Sequence, residues 1–184
     1  MKTKFLLFLL LVFNIKGAIA QKKWFSLQRP SITQVDSIEN KHNGRRISYN
    51  YTISVSPDYF PNALTYKLNN SLVFYRHTKP IKTEVSYFSS DADSTIRLIE
   101  YTWEGNSKNW KKLLKKFERN KKLISKHFQN PGRTSFKDYI NEKDDWTGQT
   151  VVWENATSYV KQFLIAGQGT FRTRVLISWK ENMR

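Results

Sequence analysis

The feature that most constrains the fold is a lysine-rich stretch, residues 108–128, whose apolar side chains recur at helical spacing. At about 100° per residue, these side chains fall within roughly a third of the helix circumference. They are Trp110, Leu113, Leu114, Phe117, Ile124 and Phe128. The opposite side carries Lys108, Lys111, Lys112, Lys115, Lys116, Arg119, Lys122 and Lys126. The pattern predicts a long amphipathic helix that lays its apolar side on another layer of the fold.

The ends of this helix have their own signals. Ser107 is a suitable N-cap, because its hydroxyl can accept from an N–H of the first turn that has no partner in the helix. The residues Asn130, Pro131 and Gly132 mark a stop, since proline cannot continue a helix. Lys121 falls inside the apolar arc, so either its stem snorkels or the helix breaks near Asn120.

Strand signals lie on both sides of the predicted helix. Residues 47–56 alternate strictly between apolar and polar side chains, which is typical of a half-buried strand. Further strands are predicted at 72–77, 82–89, 95–103, 149–154, 158–166 and 170–179, of which 158–166 is also compatible with a helix. The Ser- and Asp-rich loop 90–94 favours a turn. Residues 132–147 are predicted to be a long polar connection.

This order of elements predicts an α+β fold. We expect an antiparallel sheet of about six strands, with the one long basic amphipathic helix packed on one face. Residues 47–184 are predicted to form a single domain. Residues 21–46 are polar, lack sustained periodicity, and are expected to form an N-terminal extension that either adds an edge strand or stays partly disordered.

Residues 1–20 have the pattern of a secretory signal peptide. Lys2 and Lys4 precede an apolar run over residues 5–13, which is too short to span a bilayer of roughly 30 Å. The sequence Ala18-Ile19-Ala20 is an A-x-A cleavage pattern. We therefore predict cleavage near Ala20, no transmembrane segment in the mature chain, and a secreted or periplasmic location.

The net charge of the chain and its predicted export limit the kinds of partner that it can bind. The chain has 31 Lys/Arg, 15 Asp/Glu and no cysteine, a net charge of +16. Export would exclude intracellular nucleic acid as a ligand. The predicted partners are therefore an anionic polysaccharide or envelope polymer, or an acidic protein.

Catalytic signals are weak. None of the three histidines has a partner at metal-ligand spacing, and neither a nucleophile elbow nor a phosphate-binding loop is present. Asp91 and Asp93 are interpreted as turn residues. The pair Asp144 and Asp145, beside Trp146, could serve glycoside hydrolysis, but adjacent carboxylates rarely converge on one bond. No cofactor and no metal site is predicted.

The leading hypothesis is an exported, non-enzymatic binding protein for an acidic or sulfated polysaccharide. The expected binding residues are Lys111, Lys112, Lys115, Lys116, Arg119 and Lys122, extended by Arg172 and Arg174 if their strand faces the helix side. The tryptophans at 110, 146, 153 and 179 are either core or stacking platforms for sugar rings. The alternatives are an interaction protein that docks another exported or envelope protein, and a small polysaccharide hydrolase or lyase.

Overall fold

The protein is an α+β protein with one eight-stranded antiparallel sheet. The computed structural model describes residues 26–48, 60, 68, 70–78, 81–90, 93–140, 145–167 and 169–180. Two α-helices lie in these ranges: α1 (Ile32–Lys41) and α2 (Trp110–Phe128). The strands are β1 (Gly44–Ile47), β2 (Asn70–Arg76), β3 (Thr83–Ser89), β4 (Ile96–Gly105), β5 (Arg133–Ile140), β6 (Asp145–Glu154), β7 (Ser158–Gly167) and β8 (Thr170–Trp179).

The sheet consists of two four-stranded meanders, one on each side of α2 in the chain. The strand order is β1-β2-β3-β4-β8-β7-β6-β5, so the meanders join where β4 pairs with β8. At this junction Tyr101 lies opposite Val175, and Ile99 lies opposite Ile177. Among the described strands, β1 and β5 are therefore the edges, and the junction lies in the middle of the sheet.

The number of strands corrects the expectation of about six. Residues 133–140 form the edge strand β5, paired with β6, where a polar connection was predicted. The two-residue alternation of a core strand is absent there because an edge strand has fewer neighbours to bury against. The predicted strand at 47–56 lies mostly outside the described residues, since β1 ends at Ile47 and residues 49–59 are not described.

The main core lies between α2 and the sheet. Leu113, Phe117 and Ile124 of α2 are fully buried and belong to the same cluster as Val175 and Ile177 of β8. The helix runs unbroken past Asn120, so the expected alternative of a break there is wrong. It ends at Phe128, before the predicted stop, with Gln129 in the left-handed conformation (φ 55°).

The start of α2 differs from the prediction. A short 3₁₀ turn, Ser107–Asn109, precedes the α-helix, and its N-cap is Asn106, whose side chain accepts from the backbone N–H of Lys108 at 3.1 Å. Ser107 is therefore inside the helical turn and is not the cap. Asparagine and serine are equally good caps, so composition alone does not distinguish them.

Helix α1 was not predicted. Ser31 and Gln34 form a reciprocal capping box, in which the Gln34 side chain accepts from the Ser31 backbone N–H at 3.0 Å. Val35 and Glu39 on this helix are fully buried, and Val35 belongs to the main core. Part of the predicted N-terminal extension thus covers the same sheet face as α2.

Candidate functional site

Exposed basic side chains line the outer surface of α2. Lys111, Lys112, Lys115, Arg119 and Lys122 are all exposed, and we call this set the basic ridge. At about 1.5 Å rise per residue, the ridge extends over about 16 Å of helix. None of the five forms an ion pair with another residue in the part of the chain that the structure describes. The ridge therefore presents a row of cations to solvent.

Lys116 lies apart from the basic ridge, although it was predicted to belong to the same surface. Its ammonium lies over the ring of Trp103, with Nζ 4.6 Å from the centroid, and its side chain is half-buried. Burial lowers the pKa of Lys116 to about 8, and the nearby charges of Arg119 and Arg76 act in the same direction. Its position on the helix puts it at the border of the buried side, so its long stem reaches inward to the sheet.

Replacing Lys116 with glutamine is expected to remove a rise in stability at alkaline pH. Because the folded-state pKa is about 8 and the ordinary value is 10.5, the unfolded chain binds more protons between these values. Stability therefore rises as pH increases through this window, by on the order of 2 kcal/mol after allowance for solvent screening. Urea unfolding at about pH 7 and about pH 10 measures the rise. Lys115→Gln is the control, and an equal rise in wild type and Lys116→Gln would contradict the assignment.

Arg172 and Arg174 do not extend the basic ridge. They alternate along β8 with the core residues Val175 and Ile177, so they project from the sheet face opposite to α2. Arg172 is paired with Glu104, and Arg174 Nε lies 3.1 Å from a carboxylate oxygen of Glu100. The condition under which they were expected to contribute is not met.

The described tryptophans are mostly core rather than platforms. Trp153 is 1% exposed, and its Nε1 donates to Ser125 Oγ at 3.1 Å. Trp110 is half-buried against Phe171, with ring centroids 5.3 Å apart. Trp179 is half-buried and donates to the carbonyl of Leu27 at 2.9 Å. Trp146 lies in β6, and its side chain is outside the described part of the structure.

Of the predicted acidic pairs, Asp93 lies at a turn and Asp145 is the first residue of β6. Asp93 accepts from the backbone N–H of Thr95 at 3.0 Å, which lowers the pKa of the Asp93 carboxyl. Its other oxygen is 2.5 Å from Arg97 Nη2. These contacts fit the predicted turn. Asp91 and Asp144 are not described, so the hydrolase hypothesis stays a prediction.

A cleft opens between α1, α2 and the sheet, and sequence reasoning missed it. Its volume is about 860 Å³. The segment before α1, one side of α1, and Leu123 and His127 of α2 form its walls, and side chains of β2, β3 and β4 form its floor. The cleft was missed because most of its lining comes from α1 and the residues on either side of it, a segment in which no helix was predicted.

Beneath the cleft lies a buried polar cluster centred on Glu39. Glu39 is 0% exposed and accepts from Arg76 Nε at 2.8 Å, from Arg76 Nη2 at 2.5 Å and from Tyr87 Oη at 2.5 Å. Burial alone would lower the pKa of Arg76, but hydrogen bonding to Glu39 raises it above its ordinary value. Burial raises the pKa of Tyr87, and it raises that of the adjacent Tyr101 to about 12. The cluster ties α1 to β2 and β3.

Comparisons with other proteins add no assignment: the chain matches no protein-family model, no curated protein and no solved structure. Over the described residues, the fold is that of an α+β protein with one antiparallel sheet covered by helices on one face. Within the described ranges, no group of three or more His, Cys, Asp or Glu residues could hold a metal ion. Neither helix described here is long and apolar enough to cross a membrane.

Proposed function

We propose that this protein binds an acidic or sulfated polysaccharide through the basic ridge of α2. The observation that carries the proposal is that Lys111, Lys112, Lys115, Arg119 and Lys122 are exposed along one helix and form no ion pair with another described residue. A surface helix kept basic only for solubility normally mixes acids among its lysines. Here the sole acid between 108 and 128 is Glu118.

The geometry of the ridge suits a linear polymer of repeated negative charge. Each exposed contact between opposite charges contributes only about 0.2–1 kcal/mol. A polyanion that runs along about 16 Å of helix can engage several of these cations at once. The apolar side of α2 is occupied by the sheet, which argues against a role as an amphipathic membrane-surface helix.

The predicted signal peptide supports the choice of a polysaccharide. Export would bring the mature chain to the periplasm or the exterior, where acidic glycans and envelope polymers occur. Removing the three lysines of residues 1–20 leaves 28 Lys/Arg against 15 Asp/Glu, a net charge of +13. A binding protein of this charge associates rapidly with polyanions and weakly with neutral glycans.

The direct test is retention on immobilised dextran sulfate as the salt concentration changes. From about 0.01 M to about 1 M salt, the Debye length falls from about 30 Å to about 3 Å. Retention that depends on charge should therefore be strong at the low salt concentration and lost at the high one. Unsubstituted dextran is the control matrix, and no retention is expected on it. Retention that is equal at both salt concentrations, or equal on both matrices, would contradict the proposal.

A further inference from the structure

The cleft between α1, α2 and the sheet has a lining of one charge sign. Arg29 lies near the start of α1, Lys41 lies in its last turn, and Arg76 lies in the floor. The described residues that line the cleft include no carboxylate. Glu39 of α1 is fully buried below the floor and already accepts hydrogen bonds from Arg76 and Tyr87. The charge of Arg76 is therefore balanced by Glu39, and the exposed cation that the cleft offers to a ligand is Lys41.

The walls of the cleft are apolar between these charges. Leu27, Ile38 and Leu123 are half-buried and face the space from three different segments, and Ile99 lies in the floor. A volume of about 860 Å³ is within the usual range for small-molecule sites, about 300–1,000 Å³. Apolar walls with a few convergent polar groups are the usual composition of such sites.

We infer that this cleft binds a small amphipathic anion, a molecule with an apolar body and one carboxylate or similar group. The apolar body lies against Ile38, Leu123 and Ile99, and the anionic group lies at the entrance near Lys41. The C-terminal end of the α1 dipole is partly negative and therefore repels an anion near Lys41. This partial charge acts only within the last turn, and the full positive charge of Lys41 outweighs it. The basic ridge takes no part, since none of its five residues lines the cleft.

The experiment is calorimetric titration of the protein, purified after expression of the full chain, with decanoate and with its uncharged analogue decanamide. Saturable binding of one decanoate per chain is expected, with decanamide about tenfold weaker because it lacks the charge. Lys41→Glu should weaken decanoate about tenfold and leave decanamide unchanged within twofold. Lys111→Glu on the basic ridge is the matched charge control and should leave both unchanged.

A variant that fills the cleft tests whether decanoate binds there or elsewhere on the protein surface. Ser37 is exposed and lines the cleft, so Ser37→Trp should fill part of the space and weaken decanoate at least about tenfold without unfolding the protein. Gln28→Trp, at another exposed position that lines the cleft, is the second steric variant if Ser37→Trp lowers the urea midpoint. Neither should alter retention on dextran sulfate, so this site and the proposed function can fail independently. Absence of saturable binding, or binding that both steric variants leave unchanged, would overturn the inference.

Discussion

Glu39→Ala is expected to lower the free energy of unfolding by about 3–5 kcal/mol, because it leaves the guanidinium of Arg76 buried without its partner. Glu39 and Arg76 are 0% and 3% exposed, so water cannot replace the lost contacts. The hydroxyl of Tyr87 loses its acceptor as well. Urea unfolding measures the change, with Glu118→Ala, which removes an exposed acid from α2, as a control expected to stay within about 0.5 kcal/mol.

Further variants distinguish the loss of the ion pair between Glu39 and Arg76 from the loss of side-chain packing. Glu39→Gln keeps the shape and one accepting oxygen, so it should be destabilising by less than Glu39→Ala. In the double variant Glu39→Leu with Arg76→Leu, no charge is left buried, so its loss should be smaller than the sum of the two single losses by at least about 1 kcal/mol. Additive losses would show that the two side chains do not stabilise each other.

The periodicity of apolar residues in the sequence predicted those helices and strands that bury one face along their whole length. The helical spacing of Leu113, Phe117 and Ile124 located α2, and the alternation of Phe171 to Trp179 located β8. The same alternation could have placed Arg172 and Arg174 on the face opposite to the helix, since the more apolar side of β8 is the side that α2 covers. That inference needed only the helical spacing of apolar residues in α2 together with the two-residue alternation in β8.

The remaining features depend on contacts that no local pattern contains. Glu39 and Arg76 are 37 residues apart, and their pairing becomes visible only once α1 lies on β2 and β3. The capping box of Ser31 and Gln34 was a local signal for α1, a helix with only two fully buried side chains. Asn120 is also fully buried in α2, without a hydrogen-bond partner among the described residues, although its polarity predicts exposure.

The combined variant Lys111→Glu, Lys115→Glu and Lys122→Glu is expected to weaken binding to dextran sulfate by roughly a hundredfold or more. Each reversal replaces an attraction by a repulsion, so three reversals amount to about 3 kcal/mol or more. The three side chains are exposed, and glutamate is a good helix former, so α2 should stay folded. Equilibrium binding at low salt measures the loss, and far-ultraviolet circular dichroism checks the helix.

A matched variant distinguishes the basic ridge from the net charge of the chain. Arg45→Glu, Arg46→Glu and Lys82→Glu change the net charge by the same amount at exposed positions in and near β1 and β3, whereas α2 packs on β4, β6, β7 and β8. Long-range attraction depends on total charge and is screened beyond about 10 Å at 0.1 M salt, but direct contacts depend on position. The control triple should therefore weaken binding less than about fivefold. Equal losses of binding in the two triple variants would show that the polyanion responds to overall charge. The basic ridge would then not be the binding site.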